Sequence, residues 1–392
     1  MAKLGSCFLI VRNGASIKQV NGASGLPITR IETISNCVVD RNKFGYADIY
    51  DAGKYEEFLL RDQDILMSHI NSEKHLGKVA IYHQNNDEKI IHGMNLLMLR
   101  ANPEIVFPQY IAYYFESPFF KRQIVSITKK SVNQASFTVT ALKELTVPIV
   151  SLDKQRKIAA VLDKVSDLIA KRQAQLDKLD LLVKAKFVEM FGECKTNPKN
   201  WEVCNLEDIA QVGSSKRVFV EELKESGVPF YRGTEIGALA EGKKIEPELF
   251  ITEEHYEKLC QATGKPQIGD LLMPSICPDG RIWVVDSEEP FYFKDGRVLW
   301  VHQISANFNP VFLLYTLKDR IMTDYSSIAS GTTFAELKIF SLKKCGVFNV
   351  PIQLQSQFAE FVVQIERLKD SISHSLEKLE TMKKALMQEY FG

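Results

Sequence analysis

The chain has 392 residues, of which 45% are apolar and 25% charged. That length exceeds one ordinary core and points to two or three domains, and no apolar run approaches the ~18 residues of a membrane-spanning helix. Lysine plus arginine balance aspartate plus glutamate at 49 each, which excludes a protein that holds nucleic acid by bulk charge alone.

The balance hides an uneven distribution. Residues 1–146 carry a net +3 and 147–199 a net +4, whereas 200–349 carry −6 and 350–392 carry −1. Local basic loops, or DNA shared with a more basic partner, fit this pattern. The seven cysteines are scattered, with no C-x-x-C spacing, which argues for reduced thiols and against zinc sites or a disulfide framework. The N-terminus has no signal-peptide pattern, so a cytoplasmic location is expected.

In residues 1–146, short apolar runs such as Asp64-Ile-Leu-Met-Ser68 alternate with Gly, Asn and Asp breaks. This is a strand-rich pattern. A helical stretch is expected near Pro108–Ser126. After Val147-Pro-Ile, residues 155–192 form a long amphipathic pattern. Its apolar seam reads Ile158, Val161, Val165, Leu168, Leu176, Leu179 and Leu182. Pro148 marks the approach to the helix and Gly192 its stop. About 36 helical residues would run about 54 Å. Asn197-Pro198-Lys199-Asn200 is a turn-like linker. Residues 200–349 are strand-rich again, with helix expected near Pro310–Ile328. A second long helix follows Val350-Pro-Ile, its seam running through Phe358, Phe361, Ile365, Leu368, Ile372, Leu376, Leu379, Met382 and Leu386.

The order is a tandem repeat with a period near 200 residues. Laid over each other without a gap, the helices match at Gln155/Gln355, Ala159/Ala359, Leu179/Leu379, Glu189/Glu389, Phe191/Phe391 and other positions. The preceding segments match more weakly. Gly25-Leu-Pro-Ile-Thr-Arg-Ile-Glu-Thr-Ile34 parallels Gly227-Val-Pro-Phe-Tyr-Arg-Gly-Thr-Glu-Ile236, and Asp64-Ile-Leu-Met-Ser68 parallels Asp270-Leu-Leu-Met-Pro274. Gly77-Lys-Val-Ala-Ile parallels Gly280-Arg-Ile-Trp-Val.

This order, with the closing Ala-Leu-Met-Gln-Glu-Tyr-Phe-Gly and the Asn-Pro-Lys-Asn-Trp-Glu-Val that opens the second repeat, resembles the specificity subunits of type I restriction–modification enzymes. The resemblance covers essentially the whole chain. One departure is that the chain opens almost at Leu4, the partner of Leu206, with no counterpart of Trp201 before it. The resemblance implies an α+β fold: two strand-rich α/β target-recognition domains in tandem, separated by two long helices packed as an antiparallel coiled coil. The expected division is 1–146 and 200–349 for the recognition domains, 147–199 for the first spacer helix and linker, and 350–392 for the second spacer helix. It further implies double-stranded DNA as ligand, two methyltransferase subunits docked on the helices, and restriction subunits added through them. No membrane association and no cofactor are implied.

The residues themselves carry no recognisable catalytic motif. Asn-Pro at Asn102, Asn197 and Asn309 lacks the following Pro-Tyr/Phe of an adenine-methylating loop. Gly264-Lys265 lacks the earlier glycine of a phosphate-cradling loop, and no histidines have metal-ligand spacing. The competing readings are a coiled-coil scaffold and a fragment of a self-sufficient modification enzyme. The first leaves the two strand-rich domains unexplained, and the missing motifs disfavour the second.

Candidate DNA contacts fall in loops. In Lys129-Lys-Ser-Val-Asn-Gln-Ala-Ser-Phe137, Lys129 and Lys130 can neutralise phosphates, and Asn133 and Gln134 can read adenine. Ser330, Thr332 and Thr333 occupy the corresponding loop of the second repeat, with Gly331 among them. Ser214, Ser215, Lys216 and Arg217 form another candidate, whose place in the first repeat falls between Arg12 and Lys18. Arg30 and Arg232 hold matching positions and suit an ion pair as well as a DNA contact. Phe187, Met190 and Phe191, with Met387, Tyr390 and Phe391, are expected to cap the helical bundle, with partner contact as the alternative.

Overall fold

The computed structural model describes residues 1–132, 134–331 and 335–392. The chain forms two compact units, Met1–Ala174 with Ser373–Gly392, and Gln175–Ile372.

Each unit is built on a four-stranded antiparallel sheet of the same order. In the first, Phe8–Asn13 lies beside Leu96–Ala101, then Ile65–Ser68, then Val79–Ile81. In the second, Gln211–Gly213 lies beside Val298–His302, then Leu271–Pro274, then Trp283–Val284. The central strands are apolar over most of their length, Ser68, Arg100 and His302 excepted, because both faces are covered. Ile65, Met67, Leu97 and Leu99 point to one core, while Leu66, Leu96 and Met98 point to another. In the second unit Leu271, Met273, Leu299 and Val301 face one core, and Leu272, Val298 and Trp300 the other. The period-two alternation of a strand thus feeds two cores at once.

Helices follow each sheet. In the first unit the expected helix is two, Pro108–Glu116 and Pro118–Ile127. Pro118 has no N–H to continue the helix, and the Ser117 side chain caps the next one by accepting from Phe120 N at 3.2 Å. In the second unit Pro310–Ile328 runs on, with non-helical backbone only at Asp324.

The two long helices are Leu152–Phe191 and Ile352–Phe391, 40 residues each. They begin about one turn before the expected start and would each span about 60 Å. In the first unit Ile158, Ala159 and Leu162 share a core with Met387 and Phe391, around Tyr110 and Tyr114. In the second, Val183, Phe187 and Phe191 share a core with Phe358, Val362 and Ile365, around Phe312. In each unit the start of one helix therefore packs against the end of the other, so the pair is antiparallel.

Two expectations are corrected here. Val161, Leu168, Leu182, Leu368 and Met382, read as seam, are 40–53% exposed. The helices bury one stripe jointly against each other and against their unit's sheet-borne helices, so the buried line keeps Ile158, Val165, Phe358 and Ile365 and adds Ala159, Leu162 and Val362. The aromatic residues at the helix ends are not a bundle cap either. Phe187, Phe191, Met387 and Phe391 are 0–6% exposed, inside the main core of each unit.

Candidate nucleic-acid interface

The loop that ends each repeat before its long helix is a short β-hairpin. In the first unit Lys129–Lys130 pairs with Ala135–Ser136, which in turn pairs with Ile70–Asn71. The hairpin is tied to the main sheet by Phe137 N donating to His69 O at 3.2 Å. Its tip is closed by Ser131, whose N–H and hydroxyl both donate to Gln134 O, at 2.7 and 2.9 Å. Lys129, Lys130 and Gln134 are exposed there, and Val132 is 98% exposed. Lys130 pairs with Glu73 at 2.8 Å. Asn133 lies outside the described residues.

His69 supports this hairpin from within. It is buried and edge-on to the Phe137 ring, with centroids 6.2 Å apart. Burial lowers its pKa to about 4, so the ring is neutral at physiological pH. Its Nδ1 has no partner among the described residues.

The second unit repeats the arrangement. Ala329–Ser330 pairs with Glu336–Leu337, and Leu337 N donates to Ser275 O at 2.7 Å. Ser275 thus stands where His69 stands in the first unit. Gly331 has φ +132°, a conformation open mainly to glycine. Tyr325 Oη donates to Ala335 O at 2.6 Å and braces the far strand. Glu336 at the hairpin base is taken by Arg297 and by Lys338. Ser330 is exposed, while Thr332 and Thr333 lie outside the described residues.

The other candidates divide by burial. Ser214 donates to Val298 O at 2.7 Å and accepts from Gly296 N at 3.0 Å. Ser215 is buried and donates to Phe293 O at 2.6 Å. These two hydroxyls hold the loop in shape. Lys216 and Arg217 are exposed beyond it, Arg217 lying 3.6 Å from Asp295. Arg12 sits on the edge strand, not in a loop. Its guanidinium donates to Glu57 Oε2 at 3.0 Å and lies 4.5 Å from the centre of the Phe58 ring. Those contacts occupy it within the unit. Lys18 is exposed. Arg30 and Arg232 resolve as ion pairs, Arg30 with Glu32 at 3.7 Å and Arg232 with Glu235 at 2.5 Å and Glu248 at 3.0 Å.

Sequence reasoning missed Lys74, Lys78 and Lys121, which line one cavity beside the first hairpin. They lie 47 positions apart along the chain at the extremes, and no spacing rule joins them. Among the described residues, no group of three His, Cys, Asp or Glu side chains is placed to hold a metal, and no helix is long and apolar enough to cross a membrane.

Comparison with known proteins agrees with the duplication. A family model described as the type I restriction modification DNA specificity domain matches twice, over residues 1–179 and 198–381. A Methanocaldococcus jannaschii chain assigned as the type I restriction enzyme MjaX specificity subunit is 30% identical, covering 96% of this chain and 89% of its own length. The MjaVIII specificity subunit of the same organism is 22% identical, over 85% of this chain and 79% of its own. The crystal structure of the type I restriction-modification system S subunit from M. genitalium superposes with a TM-score of 0.59 at 14% identity, covering 100% of this chain and 95% of that one.

Proposed function

The chain belongs to the type I restriction–modification DNA specificity family and is a specificity subunit of that kind, and from that premise we propose that it reads a bipartite, asymmetric duplex site, each half by one repeat. Residues 1–146 and 200–349 are the two readers in this proposal. Residues 147–199 and 350–392 are the spacers. The chain itself performs no chemistry. Adenine methylation and DNA cleavage belong to partner subunits, with two methyltransferases docked on the helices and restriction subunits added through them.

The observation that carries this reading is the duplicated hairpin, hung from the same sheet position by the same backbone bond, at His69 and at Ser275. One scaffold thus presents two different tips. In the first unit Lys129 and Lys130 would meet phosphates and Gln134 a base edge; in the second the hydroxyls of Ser330, Thr332 and Thr333 would donate to phosphate. Lys18, Lys216 and Arg217 would add phosphate contacts. The repeats differ in charge, +3 against −6, so the half-sites should differ.

The test is methylation mapping. The purified chain alone should methylate nothing. With its methyltransferase it should direct methylation to one split sequence, and exchanging residues 200–349 for those of another family member should change one half only. A continuous or palindromic site, or a swap that alters both halves, would overturn the reading.

A further inference from the structure

Beside the first hairpin lies a cavity with an apolar floor of Leu76, Val79, Phe115, Phe120 and Ile124. Lys74, Lys78 and Lys121 line it. The carboxylate in that lining, Glu116, already pairs with Lys383 at 3.3 Å. Among the described residues no acidic side chain is in an ion pair with any of the three lysines. The cavity therefore holds three uncompensated positive charges over a low-dielectric floor, an arrangement that focuses field into the cleft. The adjacent His75 feels it. Partial desolvation, then Lys78 and Lys74, lower its pKa.

Cavity and hairpin are linked through neighbouring segments. Lys74 and Lys78 lie in the segment between Ile70–Asn71, which pairs with the hairpin, and Val79–Ile81 of the sheet. Glu73, next to Lys74, holds Lys130 of the hairpin. Lys121 lies on Pro118–Ile127, which runs directly into the hairpin at Lys129.

The second unit shows the contrast. Gly280-Arg281 occupies the repeat position of Gly77-Lys78. Arg281 is neutralised there by Asp279 at 2.9 Å and Glu241 at 3.7 Å. The same place in the fold is a free cation in one unit and an ion pair in the other.

We propose that Lys74, Lys78 and Lys121 form a binding site for the DNA phosphate backbone, and that the first unit thereby supplies most of the sequence-independent affinity. The second unit then contributes selectivity with little charge of its own. This rests on the hairpin facing DNA. Three lysine–phosphate contacts release condensed counterions and carry no base information.

The experiment uses the complex with its methyltransferase subunits. Affinity is measured across a salt series for a duplex carrying the mapped site and for an unrelated duplex of equal length. The variant is Lys74→Gln/Lys78→Gln/Lys121→Gln. Its slope of log affinity against log salt should be shallower by about 2–3, since each phosphate contact contributes about 0.9. Binding to both duplexes should weaken together, leaving their ratio unchanged. An unchanged slope would overturn the proposal, as would a loss confined to assembly with the methyltransferase, which would mean an acidic protein surface covers the cavity. The hairpin reading is judged separately: if Lys129→Gln and Gln134→Ala change neither slope nor selectivity, that reading falls, whatever the cavity variant does.

Discussion

Gln155 and Gln355 make the same three hydrogen bonds, one set in each unit. Gln155 Oε1 accepts from Phe107 N at 2.8 Å, and its Nε2 donates to Ile105 O at 2.9 Å and Val150 O at 2.8 Å. Gln355 Oε1 accepts from Asn309 N at 2.8 Å, and its Nε2 donates to Asn307 O at 3.1 Å and Val350 O at 2.7 Å. Both are fully buried. Each ties the first turn of a long helix to the backbone just before the unit's own sheet-covering helix. The amide is suited to this because it offers one acceptor and two donors.

Replacing either glutamine by alanine strands one N–H and two carbonyls in a buried place. Unmade bonds of this kind cost about 1–3 kcal/mol each, so Gln155→Ala should destabilise the first unit by roughly 3 kcal/mol. Hydrogen exchange locates the effect. The Phe107 amide should exchange faster in Gln155→Ala while the Asn309 amide does not, and Gln355→Ala should reverse the pattern. Equal acceleration at both amides would refute independent anchoring.

Asp64 and Asp270 hold equivalent positions, each accepting from the backbone N–H three residues earlier, but they differ in their side-chain partner. Asp64 accepts twice from Arg100, at 2.8 and 2.6 Å, and is 1% exposed. Asp270 Oδ2 accepts from Gln267 N and from Trp300 Nε1, both at 2.9 Å. Asp64→Asn leaves the Arg100 charge half-buried without its counterion and should cost about 3–5 kcal/mol. Asp270→Asn keeps an oxygen for both donors and should cost far less. Burial raises the Asp270 pKa from 3.8, although the two donors lower it. A carboxyl raised in the folded state contributes stability below its unfolded pKa and loses it as pH rises through the folded value. Asp270→Asn should therefore gain on the wild type as pH goes from acid to neutral. Denaturant titrations at several pH values check this, and equal destabilisation by the two variants would contradict it.

Much of the fold was legible because duplication makes weak signals strong. The helices announced themselves by 3.6-residue periodicity and by shared Gln, Phe and Gly positions. Leu4 and Leu206 match in sequence, and both donate N–H to a carbonyl just past the short helix that precedes the next strand, Leu145 O after Val139–Glu144 and Cys345 O after Ile339–Lys343. What stayed hidden depends on through-space pairing. The hairpins looked like loops because two-residue strands have no periodicity to detect. Ser215 looked like a loop hydroxyl because nothing in Ser-Ser-Lys-Arg shows which serine turns inward to Phe293 O. The seam residues Leu168 and Leu368 were misread because a regular apolar repeat does not reveal that a helix also packs on its own domain.

Glu88 supplies an acid-sensitive contact in the first unit. Its carboxylate accepts from Arg41 Nη2 at 2.5 Å, Asn85 N at 2.8 Å and Tyr82 Oη at 3.0 Å. Hydrogen bonding from Arg41, the largest influence, takes its pKa from 4.5 to about 2. A depressed carboxyl contributes stability that is present above the unfolded pKa and lost as pH falls through the folded one. The stability gap between wild type and Glu88→Gln should thus be full at neutral pH and close between 4.5 and about 2. A gap independent of pH over that range would show that Glu88 acts through shape alone.

The first hairpin should separate phosphate affinity from base selectivity. Its tip is stiffened by Ser131 donating twice to Gln134 O, so the Gln134 side chain leaves a fixed backbone at an exposed position. An amide there can make a bidentate pair with adenine, which discriminates by about 1–3 kcal/mol. Lys129, on the strand beside it, offers only a point charge. Gln134→Ala should therefore relax selection at one base pair of the first half-site, keep the salt slope, and leave the second half-site untouched. Lys129→Ala should weaken binding to all sequences alike and reduce the slope by about 1. Ser131→Ala removes one of the two bonds at the tip while the backbone bond remains. It should blur selection at the same base pair as Gln134→Ala, and by less. Methylation mapping with each variant in the assembled enzyme reads all three effects. If Gln134→Ala shifted the second half-site, or if Lys129→Ala changed which bases are preferred, the division of labour within this hairpin would be wrong.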